Sequence, residues 1–144
     1  MAWNLLSFGR GDGILAPKEE IMDKVIMFEL PVANVKRASA LYRAAFGWKI
    51  QSWNGASGVI TVPEDDNWVP KEKGAINGEM YKREPGDKGP IVVVLVSSIA
   101  RTIAKLKKAG GKVVSEKEPY GDWGFYARVK DTEGNVFGLW EHAK

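Results

Sequence analysis

From Lys24 to Val32 the chain reads Lys-Val-Ile-Met-Phe-Glu-Leu-Pro-Val, a β-rich run that predicts a strand. Alternation sends Ile26, Phe28 and Leu30 to one face and Val25, Met27 and Glu29 to the other, so apolar side chains occupy both faces. Asn34 then supplies an N-cap, and the pattern predicts a helix over Val35–Phe46 that Gly47 stops. Trp48–Trp53 and Gly58–Val62 read as two strands, joined by Asn54-Gly55, a dipeptide suited to a tight hairpin turn. The acidic, proline-bounded stretch Pro63–Pro70 reads as a loop, and a strand is expected near Ile76–Lys82.

The same order of events returns further along. A strand is predicted at Ile91–Val96, a cap at Ser97-Ser98, a helix to about Ala109 and a stop at Gly110-Gly111. Strands follow at about Lys112–Ser115, Gly124–Lys130 and Val136–Glu141, the last two joined by the turn Asp131-Thr-Glu-Gly-Asn135. When Val32–Ile50 is laid over Val96–Val114, Val32/Val96, Arg37/Arg101, Ala40/Ala104, Ala45/Ala109 and Gly47/Gly111 coincide. The repeated element order together with these identities favours an internal duplication over a chance match of two glycine-stopped helices. Residues 1–22 hold no period and contain Gly9, Gly11, Gly13 and Pro17, so they are expected to form an irregular arm.

Composition narrows the chemistry. With 144 residues the chain suits one domain with one core. The absence of cysteine excludes disulfides, thiolate metal sites and cysteine nucleophiles. No basic n-region precedes the short apolar run at the N-terminus and no stretch is long enough to span a bilayer, so no membrane association is expected and the cytoplasm is the expected compartment. The net charge of +3 is dispersed, and Lys105, Lys107 and Lys108 read as a solvated helix face; nucleic acid is not an expected partner.

Three segments together carry a family resemblance: Phe28–Trp48, the Ala109-Gly-Gly-Lys-Val-Val114 turn, and Asp131–Glu141. In order and spacing they resemble the glyoxalase/bleomycin-resistance/dioxygenase (vicinal oxygen chelate) superfamily over about residues 24–142. The resemblance implies an α+β fold in which two βαβββ modules form a half-open, eight-stranded, glyoxalase-like barrel with helices outside and a ligand groove inside. The expected organisation is an arm at 1–22 and a single domain at 23–144, with module one at about 24–83 and module two at about 90–142. It also implies metal ligands on the first, fourth, fifth and eighth strands. Those positions fall on Met27, on Glu79 as the nearest fourth-strand candidate, on Ile91 and on Gly138. One carboxylate among methionine, isoleucine and glycine does not supply the three or four donors a cation needs, and the single histidine, His142, stands beyond the last predicted strand. No metal and no cofactor are therefore expected.

The residues expected around the groove are Met27, Glu29, Trp53, Glu79, Ile91, Trp123, Phe125, Gly138 and Trp140. Six tryptophans favour stacking on a planar or cationic ligand, although each also suits ordinary packing. Pro119–Tyr126 reads either as a turn into a strand or as a loop over the groove mouth. Glu29 is expected either to pair with Arg128, Lys82 or Arg83 or to act on a ligand. The leading reading is a small-molecule-binding protein for an aromatic or amphipathic ligand. The alternatives are a lyase or isomerase, metal-free or with a displaced metal site, using Glu29 or Glu79, and a dimeric interaction module in which Trp3, Leu5, Leu6 and Phe8 pack on this domain or on a second copy.

Overall fold

The computed structural model describes residues 22–53 and 56–144. The arm expected at 1–22, but for Met22, and the Asn54-Gly55 turn lie outside the described residues. Ten elements follow in order: β1 (Lys24–Val32), α1 (Val35–Phe46), β2 (Lys49–Trp53), β3 (Ala56–Ile60), β4 (Asn77–Lys82), β5 (Ile91–Leu95), α2 (Ile99–Lys108), β6 (Lys112–Tyr120), β7 (Gly124–Lys130) and β8 (Val136–His142). Among the described residues no helix is long and apolar enough to cross a membrane.

The caps fall where the residue chemistry places them. The Asn34 side chain accepts from the Arg37 N–H at 2.8 Å, and Gly47 takes the left-handed φ of 67° with its N–H on the Arg43 carbonyl. Ser98 accepts from the Arg101 N–H at 3.2 Å. A second acceptor at the start of α2 comes from the sheet: Glu141 of β8 takes the Ile99 N–H at 2.7 Å, which holds its carboxyl below the usual range.

The eight strands form one sheet in the order β2-β3-β4-β1-β5-β8-β7-β6. This order is symmetric about the antiparallel β1/β5 pair, with parallel β1/β4 on one side matched by parallel β5/β8 on the other. Each βαβββ module thus contributes four strands. A core lies under each helix: Val32, Val59 and Met80 with Phe28, Leu30 and Tyr42 on the α1 side, and Ile99, Ile103, Ala127, Val129 and Leu139 with Phe125 and Phe137 on the α2 side. The other face is concave. Laid flat, β4 and β6 would stand about 24 Å apart, five steps of about 4.8 Å; instead the Tyr120 hydroxyl of β6 reaches Glu79 of β4 at 3.4 Å. The sheet is therefore curled into an open, half-barrel trough.

Two strands differ from expectation by more than one residue at an end. β3 starts at Ala56 rather than Gly58, and β6 runs to Tyr120 rather than ending near Ser115. β6 is the edge strand, mostly exposed along its length, so it has no alternating apolar signature and tolerates Pro119. Of the two readings of Pro119–Tyr126, the turn into a strand holds: the segment is the end of β6, a short turn at residues 121–123 and the start of β7.

Gly78 lies opposite Phe28 across the parallel β1/β4 pair, and a Cβ there would collide with the Phe28 carbonyl and ring. Gly78→Ala is expected to lower stability by about 1–3 kcal/mol in urea unfolding. Gly89→Ala, with open space at the added methyl, should stay within about 0.5 kcal/mol of wild type.

Candidate functional site

The β1 face opposite α1 projects into the trough. Register sets Glu29 beside Glu79 of β4 and beside Ile91 of β5, and Met27 beside Val93. Val93 in turn faces Gly138 of β8, and Gly138 faces Arg128 of β7. The trough floor is thus Met27, Glu29, Glu79, Ile91, Val93, Gly138, Trp140, Tyr126 and Arg128.

Glu29 is 4% exposed, and a carboxylate at that depth needs partners. It has two. The Tyr126 hydroxyl donates to Oε1, and Arg128 Nη2 donates to Oε2 at 3.2 Å. Arg128 Nε also donates to the Tyr126 oxygen at 3.1 Å, which closes a three-membered ring of contacts. The guanidinium lies 5.0 Å from the Tyr81 ring centroid and 3.9 Å from Asp87 in the β4–β5 connection. Burial, then the charge of Glu29 and its hydrogen bond, push the Tyr126 hydroxyl well above the usual phenol range, so it stays a donor. Burial disfavours the Arg128 charge, but its contacts with Tyr126 and Glu29 outweigh that and hold it protonated. Of the three cations weighed for Glu29, Arg128 is the one that pairs with it; Arg83 instead donates to the Pro31 carbonyl at 3.3 Å.

Glu79 is placed differently. Its carboxyl is half-buried next to Glu29, and its hydrogen bond is a long one from Tyr120, 3.4 Å. Burial first, and the neighbouring Glu29 charge second, push its pKa up to about 7, against the opposing pull of Tyr120 and Arg128. A pKa near 7 leaves both the protonated and the ionised form populated near neutral pH.

The far wall is aromatic. Tyr120 meets Trp140 edge to face at 5.6 Å and Trp123 at 6.3 Å, and Trp123 meets Trp68 of the β3–β4 loop at 6.0 Å. The Trp140 N–H donates to His142 Nδ1 at 3.1 Å, so the histidine ends β8 rather than standing beyond it. Two hollows of about 410 Å³ each lie on the helix side of the sheet, and neither touches Glu29 or Glu79.

Of the residues expected around the groove, Met27, Glu29, Glu79, Ile91, Gly138 and Trp140 share the trough face, and Trp123 stands at its rim. Phe125 does not join them. It points to the opposite face, against the α2 core, with Lys117 Nζ 4.3 Å from its ring centroid. The side chain of Trp53 lies outside the described residues. Tyr126, Tyr120 and Asp87 were not singled out by sequence. The available signal was parity on β7: Gly124, Tyr126 and Arg128 alternate onto the face that Gly138 leaves open.

The four positions that family resemblance assigns to metal ligands hold Met27, Glu79, Ile91 and Gly138. These side chains offer one carboxylate, and among the described residues no group of three or more His, Cys, Asp or Glu is arranged to hold a cation. The space beside Gly138 is taken as well: a Cβ there would fall 2.7 Å from the Tyr126 hydroxyl oxygen and 3.0 Å from Val93. The present residues do not fit a metal at those positions.

Solved structures with this fold include a hypothetical protein from Bacillus halodurans, 15% identical with a TM-score of 0.60 over 85% of this chain and 96% of the other. They also include methylmalonyl-CoA epimerase from Mycobacterium tuberculosis, 17% identical with a TM-score of 0.55 over 83% of this chain and 88% of that one. A third is the Streptomyces coelicolor methylmalonyl-CoA epimerase S115T variant in complex with 2-nitronate-propionyl-CoA, 14% identical with a TM-score of 0.59 over 83% and 94%. No curated protein gives a significant match. At these identities the structural likeness speaks for the fold alone, but the sequence profile of one family matches residues 24–139. With that match, the chain belongs to the Glyoxalase/Bleomycin resistance protein/Dioxygenase superfamily.

Proposed function

We propose that this protein binds a small aromatic or amphipathic molecule in the trough, without the divalent-metal site usual in its superfamily. The observation that carries this reading is Tyr126 lying against Gly138. Where the eighth-strand ligand would project, the backbone is bare and the Tyr126 ring leans into the space, tied to Glu29 and Arg128. The floor thereby becomes a self-satisfied hydrogen-bonded platform, and the aromatic wall of Tyr120, Trp123 and Trp140 supplies contact area for a ligand.

A second reading is favoured by Glu79. A half-buried carboxyl with a pKa of about 7 is suited to removing and returning a proton, which supports a lyase or isomerase in which Glu79 is the base. Glu29, locked by Tyr126 and Arg128, would then position and polarise rather than transfer the proton. Several proteins of similar fold are epimerases by name, which agrees with this reading without specifying a substrate.

Purified protein titrated with aromatic acids, amines and glutathione conjugates should show saturable quenching of tryptophan fluorescence, and Trp123→Ala should weaken that binding several-fold. Stoichiometric Zn, Ni, Mn or Fe in the purified protein, with a metal-dependent rise in melting temperature, would contradict the metal-free reading.

Glu79 also sets a pH dependence. In the unfolded chain it titrates near 4.5 and in the fold near 7, so between those values the folded state holds the extra proton. Stability from this group is present below about pH 4.5 and is lost as pH rises to about 7. Comparing urea unfolding at pH 5 and pH 8, wild type should lose about 1–3 kcal/mol relative to Glu79→Gln, which lacks the titration.

A further inference from the structure

The two trough carboxylates differ in how their charge is met. Glu29 is neutralised by Arg128 at 3.2 Å. The ion pairs formed by the described residues are Lys117–Glu141, Arg128–Glu29 and Arg128–Asp87, and Glu79 is in none of them. Among the described residues, Glu79 when ionised is a half-buried negative charge without an ion-pair partner, and Glu29, Glu79 and Asp87 gather around Arg128 although the chain carries +3 overall. A ligand that brings a positive charge to Glu79 gains a Coulombic term in a site screened less than bulk water.

The rings beside it are set as such a ligand would need. Trp140 and Tyr120 stand at 77° and Trp68 and Trp123 at 89°, so ring faces and edges form the sides of a box rather than a stack. Trp123 is 43% exposed and Trp68 61% exposed, a cost in apolar surface left in water at the trough mouth. Among the described residues the chain's own cations sit over other rings, Lys117 over Phe125 and Arg128 over Tyr81 and Tyr126. Tryptophan faces bind cations best of all aromatic side chains, and partial desolvation strengthens the contact.

We propose that the trough selects a planar organic cation, its ring against Trp123 and Trp140 and its positive nitrogen beside the Glu79 carboxylate. This inference rests on the binding reading above. It concerns charge preference, which that reading leaves open.

Three probes of nearly one shape separate the two: N-methylquinolinium, its neutral isostere methylnaphthalene, and the anion naphthoate, titrated at pH 8 and low salt with tryptophan fluorescence and calorimetry as readouts. The expected result is N-methylquinolinium binding at least about tenfold more tightly than methylnaphthalene, with naphthoate weakest. Glu79→Gln should abolish the difference in affinity between the cation and the neutral probe, and Trp123→Leu should weaken both. Equal affinity for cation and neutral isostere, or tighter binding of naphthoate, in wild-type protein overturns the charge preference and leaves the binding reading standing. Absence of saturable binding by all three overturns both. The wild-type comparison decides even if Glu79→Gln folds poorly.

Discussion

Two carboxylates, Glu29 and Glu79, stand at the same register on the adjacent parallel strands β1 and β4, and both face into one trough. In water such a pair costs little, but in a half-dry trough the charges repel and each loses hydration. The fold resolves the conflict asymmetrically. Glu29 receives the Tyr126 hydroxyl and the Arg128 guanidinium, and Glu79, desolvated by burial first and repelled by the Glu29 charge second, holds its proton up to about pH 7. The raised pKa of Glu79 thus reflects its burial and, after that, the neighbouring Glu29 charge.

That satisfaction crosses the boundary between modules. Glu29 lies in the first βαβββ unit, whereas Tyr126 and Arg128 lie in the second, three strands away in the sheet, where a flat arrangement would separate them by about 14 Å. The curl that closes this gap is the same curl that brings Tyr120 to Glu79 and Trp123 to Trp68. Removing one partner of a buried pair strands the other, at a cost of about 3–5 kcal/mol, so this pair contributes more to the shape of the trough than its Coulomb energy suggests. Gly138 makes the arrangement possible, since any side chain there would meet the Tyr126 ring.

Local rules carried much of the fold. The caps Asn34 and Ser98, the stops at Gly47 and Gly110, and the alternation of β1 were legible because each depends on neighbours within a few residues. The length of β6 was not, because an edge strand with solvated faces leaves no apolar period. Phe125 was expected at the groove with the other aromatics of Pro119–Tyr126, while parity along the predicted strand Gly124–Lys130 sends Phe125 to the α2 core and Tyr126 to the trough. Glu29, Glu79, Gly138 and Trp140 were legible as groove residues through family resemblance. Their partners Tyr126, Tyr120 and Asp87 were not, since contacts between strands several positions apart in the sheet depend on its curl, which no local spacing encodes.

The division of labour between the two carboxylates is tested most directly by a carbon-13 NMR titration of protein labelled at the glutamate side-chain carboxyl carbons, with Glu79→Gln used to assign the Glu79 resonance. The expected midpoint for Glu79 is near 7. A midpoint near the ordinary glutamate value of 4.5 would contradict it.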